Sequence, residues 1–397
     1  MELEPYSFAG NFSAHTFTEF LLWAVQQGAS DILVQGGDYI WLEIHGRQHK
    51  ATSHTIQQGH LPTLIHGLWQ ADVEAKIRSG DGADRALELT ERDGIDIPRG
   101  RSLRFRCNFT QARVAGMETA FAITMRTIPD KLPRIEDQHL DPDLFGSLYP
   151  GMGLGLICGP TGSGKSTLLA AMYRHAGEVY PNRKVITYED PVEFVLGGKH
   201  WEGPQPAQSE IGRDIPDFAS GLRNAMRRKP SIVGIGEARD LETVDAMIEA
   251  SLTGHLCYAT VHTESVAETI NRIIQVYPPE AQSNVGSRLV GALRFVCVQR
   301  LLKTTDGKRT AIREYLVFDR ALRSRLSEVP HTQWAPMIRQ LLEEKNATLD
   351  DHAWELLKKG RIDKDEFIEL AGYREYQTRC SQAQPSHGRA TKSEELA

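Results

Sequence analysis

Residues 154–176 read LGLICGPTGSGKSTLLAAMYRHA, in which an apolar run, a glycine-rich turn and a helical pattern follow one another directly. The turn fulfils the pattern G-x-x-x-x-G-K-[ST], and the run before it and the helix after it supply the context that this pattern requires. Glycines let successive N–H groups face a phosphate, and the helix adds its positive end. The sequence therefore predicts a phosphate-binding P-loop made of Gly159, Pro160, Thr161, Gly162, Ser163, Gly164, Lys165, Ser166 and Thr167.

Two P-loop side chains are expected to make particular contacts with a nucleotide. Lys165 should reach the β- and γ-phosphates, and the Ser166 hydroxyl should take a coordination position on Mg²⁺. The ligands expected from this stretch are ATP and Mg²⁺. The alternative, a glycine-rich turn that binds nothing, is weaker because pattern and context agree.

Acidic residues follow two other predicted strands, in TYEDPVEF (187–194) and GIGEARD (234–240). Their carboxylates belong to Glu189, Asp190, Glu193, Glu237 and Asp240. Ligands of an open α/β sheet lie beyond the carboxyl ends of its strands, so both clusters should point toward the P-loop. Hydrolysis needs one carboxylate to orient water and another to hold the Mg²⁺ shell. We assign catalysis to Glu193 and Glu237 and places in the nucleotide site to Glu189 and Asp190. Asp240 fits the capping of the next helix equally well.

Two histidines stand at either end of a predicted strand in TGHLCYATVHT (253–263). They are His255 and His262, and no cysteine or carboxylate spacing completes a zinc site with them. A single histidine is more often structural than catalytic, but beside a P-loop an imidazole can sense the γ-phosphate. We therefore expect His255 in the nucleotide site and His262 in a catalytic role.

The chain divides into parts that differ in their hydrophobic pattern. Residues 1–130 predict a small α+β domain, and 131–150, rich in Pro, Asp and Gly, predict a linker. Residues 151–330 alternate short strands with helices, including a helix at 281–301, which indicates a mostly parallel sheet. The segment QSEIGRD (208–214) is expected to be a mobile loop. Amphipathic helices are expected over 331–376 and a disordered tail over 377–397.

Composition excludes several classes of protein. With 397 residues, 40% hydrophobic and 25% charged, the chain is neither fibrous nor disordered as a whole. Its five cysteines are far apart without a C-x-x-C pair, which suits a reducing compartment. The amino terminus lacks the features of a signal peptide, and no apolar run approaches the roughly 18 residues of a membrane span. We expect a cytoplasmic protein.

The P-loop, the two acidic segments and the histidine segment, in this order, resemble the secretion or traffic ATPases of type II and type IV secretion and of twitching motility. The resemblance covers roughly residues 15–375, and RFRCN, QAR and MRTIP look like the arginine-bearing segments of that family. It implies that Arg106, Arg113 and Arg126 contact nucleotide at a subunit boundary. It also implies a RecA-like P-loop motor domain with a PAS-like N-terminal domain, assembled as a homohexamer. Gly234 and Gly236 depart from the family, which usually has bulkier apolar residues there, so the strand is expected to be less regular.

The resemblance favours ATPases of Dot/Icm-type and conjugation-type transfer systems, whose partners are inner-membrane proteins. Such an ATPase would bind peripherally at the cytoplasmic face of that membrane. The absence of a paired C-x-x-C argues against the pilus-assembly branch, which carries a zinc module, while pilus-retraction ATPases stay a close alternative.

A nucleic-acid translocase or helicase uses the same fold, and a small-molecule kinase is a more distant possibility. The net charge of −6 gives no general attraction to nucleic acid. A basic cluster is formed by Arg223, Arg227, Arg228 and Lys229. It has no interleaved aromatic residues on which bases could stack. We therefore expect no direct binding of nucleic acid.

Overall fold

The computed structural model describes residues 3–69, 72–99, 101–114, 116–128 and 131–383, which fold around two β-sheets. The first sheet is antiparallel throughout, with the order β3-β2-β1-β6-β5-β4. Its strands are β1 (Ala29–Gln35), β2 (Trp41–Ile44), β3 (Arg47–Lys50), β4 (Ala83–Leu89), β5 (Leu103–Val114) and β6 (Met117–Ile128). Its helices are α1 (Ala14–Gln26), α2 (His60–Leu68) and α3 (Asp72–Ser79).

Alternation along β5 gives the first sheet one apolar and one charged face. Phe105, Cys107 and Phe109 are fully buried in the core beneath the helices. Because successive side chains of a strand point to opposite faces, Arg104 and Arg106 share the other face. This face is turned toward the second sheet.

The second sheet has the order β13-β12-β7-β11-β10-β8-β9, and all neighbouring strands are parallel except β12 and β13. Its strands are β7 (Gly153–Cys158), β8 (Val185–Glu189), β9 (Ala207–Glu210), β10 (Ile232–Ile235), β11 (Leu256–Val261), β12 (Leu293–Lys303) and β13 (Arg309–Val317). Its helices are α4 (Pro142–Ser147), α5 (Lys165–Val179), α6 (Phe218–Ala225), α7 (Leu241–Leu252), α8 (Val266–Gln275) and α9 (Pro279–Ala292). Helices α10 to α14 follow, at Arg320–Ser327, Trp334–Glu344, Leu349–Lys358, Lys364–Ala371 and Tyr373–Ala383. Separate apolar clusters cover its two faces, as in a RecA-like layer structure.

The predicted helix at 281–301 is wrong in its second half. Helix α9 ends at Ala292, and Leu293–Lys303 form strand β12 between β7 and β13. The run LRFVCVQRLL is apolar on both faces because both faces of this strand are covered. Such a run lacks the alternation that distinguishes a strand from a buried helix.

Two other expectations about organisation need correction, and the expected linker is an ordered segment. Residues 208–210 of the expected mobile loop belong to the edge strand β9, which is paired in parallel with β8. The expected linker 131–150 is packed onto the second sheet, with Leu144 and Leu148 buried in its core. Helix α14 covers residues 377–383 of the expected disordered tail, while residues 384–397 lie outside the described part of the chain.

Strand β10 is regular despite its glycine, which differs from the expectation. All four of its residues are buried and paired with both neighbouring strands. A Cβ atom on Gly234 would lie 2.2 Å from the Tyr173 hydroxyl oxygen, so the glycine makes room for this tyrosine. No helix in the described ranges has the length and apolar character needed to cross a bilayer.

Candidate nucleotide site

A cleft of 660 Å³ separates the charged face of the first sheet from the carboxyl ends of β7, β8, β10 and β11. Most of the residues predicted for the site line it. They are Thr161, Gly162, Ser163, Gly164, Lys165, Ser166, Thr167, Glu189, Asp190, Glu193, Glu237, His262, Arg106 and Arg126. Gly159 and Pro160 form the entry to the P-loop between β7 and this lining.

The P-loop has the backbone shape that its glycines permit. Gly159, Gly162 and Gly164 have φ of 139°, 79° and 84°, which favour glycine. Gly164 caps α5, whose first residue is Lys165. The helix therefore directs its N-terminal N–H groups toward the cleft, as anion binding requires.

Lys165 is bonded to the loop itself. Its Nζ donates hydrogen bonds of 2.8 and 2.9 Å to the carbonyl oxygens of Gly159 and Pro160. The residue is 8% exposed, and burial lowers the pKa of its ammonium group against the opposing effects of Cys158, Glu237 and Glu193. The cleft thus contains a desolvated cation held by neutral acceptors, which a phosphate oxygen could replace.

The end of β8 and the turn after it present two carboxylates in different surroundings. Burial raises the pKa of Glu189, whose Oε1 accepts hydrogen bonds from Thr187 Oγ1 at 2.6 Å and Gln208 Nε2 at 3.0 Å. Glu193 lies in the following turn, after the cis peptide bond between Asp190 and Pro191. Its backbone carbonyl is held by the first sheet, where Arg104 donates to the oxygens of Glu193 at 3.1 Å and Val192 at 2.9 Å.

Glu237 and His262 meet at the ends of β10 and β11. Glu237 Oε1 lies 3.9 Å from His262 Nε2, which is beyond hydrogen-bonding distance. Burial, and then Lys165, lower the pKa of His262, so its imidazole is neutral at pH 7. The turn that carries Glu237 is held to β11 because the Thr260 hydroxyl donates to the Gly236 carbonyl and Ala238 N–H donates to the Thr260 carbonyl at 3.0 Å.

Asp240 has the helix-capping role that was one of its two expected interpretations. Its Oδ1 accepts a hydrogen bond of 2.8 Å from Thr243 N–H at the start of α7. Capping of this kind satisfies an N–H group that has no partner within the helix.

Two of the three expected arginines face the P-loop of their own chain. Arg106 on β5 and Arg126 on β6 stand directly opposite one another, and Asp31 on β1 stands opposite Arg126. Arg126 Nε donates to Asp31 Oδ1 at 2.9 Å. Like charges directly opposite repel, so this arrangement favours an anion in the cleft.

Arg113 and His255 are not brought into the cleft. Arg113 is near the exposed tip of the β5–β6 hairpin, 3.7 Å from Glu118, with 78% of its side chain exposed. His255 precedes β11, at the opposite end of that strand from His262. Since the P-loop follows the carboxyl end of the parallel strand β7, His255 lies at the wrong edge of the sheet. This placement removes His255 from the candidate site of the single chain.

The sequence interpretation missed several residues at the site. Arg104 could have been found, because alternation in RFR places it on the same face as Arg106. Tyr173 on α5 lines the cleft. In the sequence it cannot be distinguished from the other large residues of an amphipathic helix. Gln299 on β12 contacts the P-loop, and Arg313 on β13 contacts Gln299. The helix mistakenly predicted over 281–301 concealed Gln299.

Comparison with known proteins gives consistent results. Residues 17–325 match the family described as type II/IV secretion system protein. The chain is 33% identical over 355 residues to a type IV pilus retraction ATPase, PilT, of Pseudomonas aeruginosa, covering 89% of this chain and 97% of that protein.

Two solved structures are similar over nearly the whole chain. The ATPase DotB of Legionella pneumophila matches with a TM-score of 0.83 and 35% identity, covering 93% of this chain and 98% of that one. The pilus retraction motor PilT with bound ADP matches with a TM-score of 0.74 and 27% identity, covering 93% and 100%. These similarities confirm a mixed α/β fold with a RecA-like P-loop domain.

Proposed function

Since the chain belongs to the family of type II/IV secretion system proteins, we propose that it is a Mg²⁺-dependent ATPase that acts as a homohexamer and powers a type IV secretion apparatus. The apparatus is of the Dot/Icm or conjugation type, and the ATPase is cytoplasmic and engages inner-membrane proteins of that apparatus. The observation that carries this proposal is the cleft in which P-loop, carboxylates and arginines meet.

Binding of ATP would use the groups that already face the cleft. The P-loop N–H groups and Lys165 hold the β- and γ-phosphates, and Arg106 balances negative charge from the opposite wall. Arg126 contributes from beside Arg106 while it is bonded to Asp31. These contacts position the γ-phosphorus between the two sheets.

In the proposed hydrolysis, the carboxylate of Glu193, in the turn after β8, acts as the general base. Glu193 accepts a proton from a water molecule while the water oxygen forms a bond to the γ-phosphorus. The bond from this phosphorus to the oxygen bridging to the β-phosphate breaks, and ADP leaves with that electron pair. The neutral imidazole of His262 donates a hydrogen bond from Nε2 to a γ-phosphate oxygen, which identifies the intact triphosphate.

The residues present fit a Mg²⁺ ion. The Ser166 hydroxyl and the Glu237 carboxylate line the same cleft, and Mg²⁺ usually takes its remaining ligands from water and phosphate. Within the described ranges, no group of three or more His, Cys, Asp or Glu side chains forms a metal site by itself. When bound, the ion neutralises charge on the phosphates.

The position of Arg113 is consistent with the proposed homohexameric ring. It is exposed and lies away from the cleft of its own chain, so it is available to the nucleotide of a neighbouring copy. Rings of Arg113→Ala subunits and rings of Lys165→Gln subunits should each have low activity. Mixed rings should recover part of the activity, because an Arg113→Ala subunit can use the Arg113 of a Lys165→Gln neighbour.

The direct test of the proposal is phosphate release by the purified protein and its Lys165→Gln variant, together with electron microscopy in a non-hydrolysable ATP analogue. Turnover that needs Lys165 and Mg²⁺, with six-fold rings, supports it. Turnover by Lys165→Gln at the wild-type rate contradicts it. Strong, salt-sensitive stimulation by DNA would instead support a translocase.

Pilus retraction is a second candidate, favoured by the 33% identity to PilT over 97% of that protein. Deletion of the gene distinguishes the two candidates in the host cell. Loss of substrate or plasmid transfer with normal twitching supports the secretion role, whereas loss of twitching alone supports retraction.

A further inference from the structure

Gln299 is in direct contact with the back of the P-loop. The residue is 2% exposed on β12, and its Nε2 donates a 2.6 Å hydrogen bond to the carbonyl of Ser163. A Cβ atom on Gly159 would lie 2.2 Å from the Gln299 carbonyl oxygen, and one on Gly164 would lie 2.8 Å from Gln299 Nε2. Strand and loop therefore touch at two glycines.

The bond to Ser163 orients the next N–H group of the loop. In a trans peptide the carbonyl of one residue and the N–H of the next point in opposite directions. The carbonyl of Ser163 points toward Gln299, so the N–H of Gly164 points away from β12 and toward the cleft. Gln299 thus holds a phosphate-binding N–H group in place before any nucleotide arrives.

Arg313 determines which way the amide of Gln299 faces. Its Nε donates a 2.7 Å hydrogen bond to Gln299 Oε1, which leaves Nε2 directed at the loop. An amide without this donor can exchange its oxygen and nitrogen by rotation, and the oxygen would then repel the Ser163 carbonyl.

The burial of Arg313 at this position is energetically unfavourable. It is 9% exposed, its Nη2 is buried without a hydrogen-bond partner, and burial lowers the pKa of its guanidinium. Its other nitrogen, Nη1, donates to the backbone carbonyl of Gln138 at 2.8 Å, in the segment that joins the two sheets. Among the described residues, the hydrogen-bond acceptors of Arg313 are neutral. Burying a cation without an opposite charge destabilises the folded state, which argues for a role of Arg313 beyond packing.

We propose that Gln299 and Arg313 are positioning residues for the P-loop, and that Arg313 couples the loop to the connecting segment around Gln138. The inference rests on the proposed ATPase function, since it assigns these residues to the same site. Nucleotide binding should tighten the chain of hydrogen bonds from Ser163 through Gln299 and Arg313 to Gln138, and a shift of the segment should loosen the loop.

Arg313→Met and Gln299→Leu test this chain, with Arg313→Lys as the conservative variant that can still donate to Gln299. Arg288→Met is the matched control, because Arg288 pairs with Asp245 and Glu249 on the surface of α7. For each variant we would measure the Kd of a fluorescent ADP analogue and the melting temperature without nucleotide. Hydrogen exchange of the segment around Gln138 would be followed with and without ADP.

The expected result is a roughly tenfold weaker ADP affinity in Arg313→Met and Gln299→Leu, equivalent to about 1.4 kcal/mol, with partial recovery in Arg313→Lys. ADP should slow exchange around Gln138 in the wild type but not in Arg313→Met. A lower melting temperature with unchanged affinity and unchanged ADP protection would overturn the inference. If Lys165→Gln abolishes ADP binding while these variants bind normally, the inference alone fails. If Lys165→Gln binds and turns over normally, the proposed function fails.

Discussion

The guanidinium of Arg104 on the first sheet donates a 3.1 Å hydrogen bond to the backbone carbonyl of Glu193 beyond the second sheet. A second nitrogen of Arg104, Nη2, donates a 2.9 Å hydrogen bond to the backbone carbonyl of Val192. The arginine therefore holds two consecutive carbonyl groups of one turn. The general base of the proposed reaction is therefore positioned by the N-terminal part of the same chain.

Replacing Arg104 should slow the reaction more than it weakens binding. In Arg104→Met the turn of Glu193 loses two donors, and a small displacement of a base is costly in rate. We expect kcat to fall roughly tenfold with little change in KM, and Arg104→Lys to recover part of the rate. Steady-state phosphate release measures both constants.

Arg85→Met is the control for Arg104, since Arg85 is on the same sheet but pairs with Asp72. An equal fall of kcat in both variants, or a change confined to KM in Arg104→Met, would count against the positioning role.

Adding a methyl group at Gly234 should disturb the floor of the cleft. Its Cβ would lie 2.2 Å from the Tyr173 hydroxyl oxygen and 2.8 Å from Thr187 Cγ2. Overpacking of this kind typically costs about 1–3 kcal/mol. Gly234→Ala should therefore lower the free energy of unfolding by an amount in this range, measured by denaturant titration.

The Tyr173→Phe change removes the nearest clashing atom. The double variant should thus be more stable than the sum of the two single changes predicts. Strict additivity would show that Tyr173 does not set the requirement for glycine here.

Glu189→Gln should alter how stability depends on pH. Burial raises the pKa of Glu189, so the folded state binds its proton more tightly than the unfolded state does. The wild type therefore loses stability as the pH rises from the ordinary glutamate pKa through the raised value. A glutamine keeps the acceptor oxygen for Thr187 and Gln208 without the buried charge.

The measurement is the melting temperature of both proteins from pH 5 to pH 8. We expect Glu189→Gln to melt higher at pH 8, by on the order of 2 °C, and the difference to shrink toward pH 5. Glu118→Gln, at a 90% exposed position, is the control and should show no such trend. If the difference in melting temperature between the two proteins instead grows as the pH falls, folding does not raise the pKa of Glu189.

The sequence predicts the parts of this molecule that local pattern controls. Turn chemistry and spacing located the P-loop, and strand ends located Glu193, Glu237 and His262 in one cleft. The strand Leu293–Lys303 was mistaken for a helix because burial on both faces removes its alternation. His255 illustrates another limit, since a strand pattern does not say which end of the strand a site occupies until the parallel pairing is known.

Two contacts between residues far apart in the chain were beyond the reach of sequence patterns. Arg104 on Glu193 spans |i−j| = 89, and Gln299 on Ser163 spans |i−j| = 136. Separations of this size carry no local periodicity. Only the alternation in RFR hinted at the first, and a polar residue in an apolar run hinted at the second.

The most direct test of the account is phosphate release by Glu193→Gln, with ATP binding measured on the same preparation. Loss of a general base typically costs about 10²–10⁴-fold in rate, while the P-loop contacts that bind ATP stay in place. We predict that Glu193→Gln binds ATP with an affinity close to that of the wild type and releases phosphate at least about a hundredfold more slowly. Wild-type turnover by this variant, with intact binding, would contradict the assignment of the reaction to this cleft.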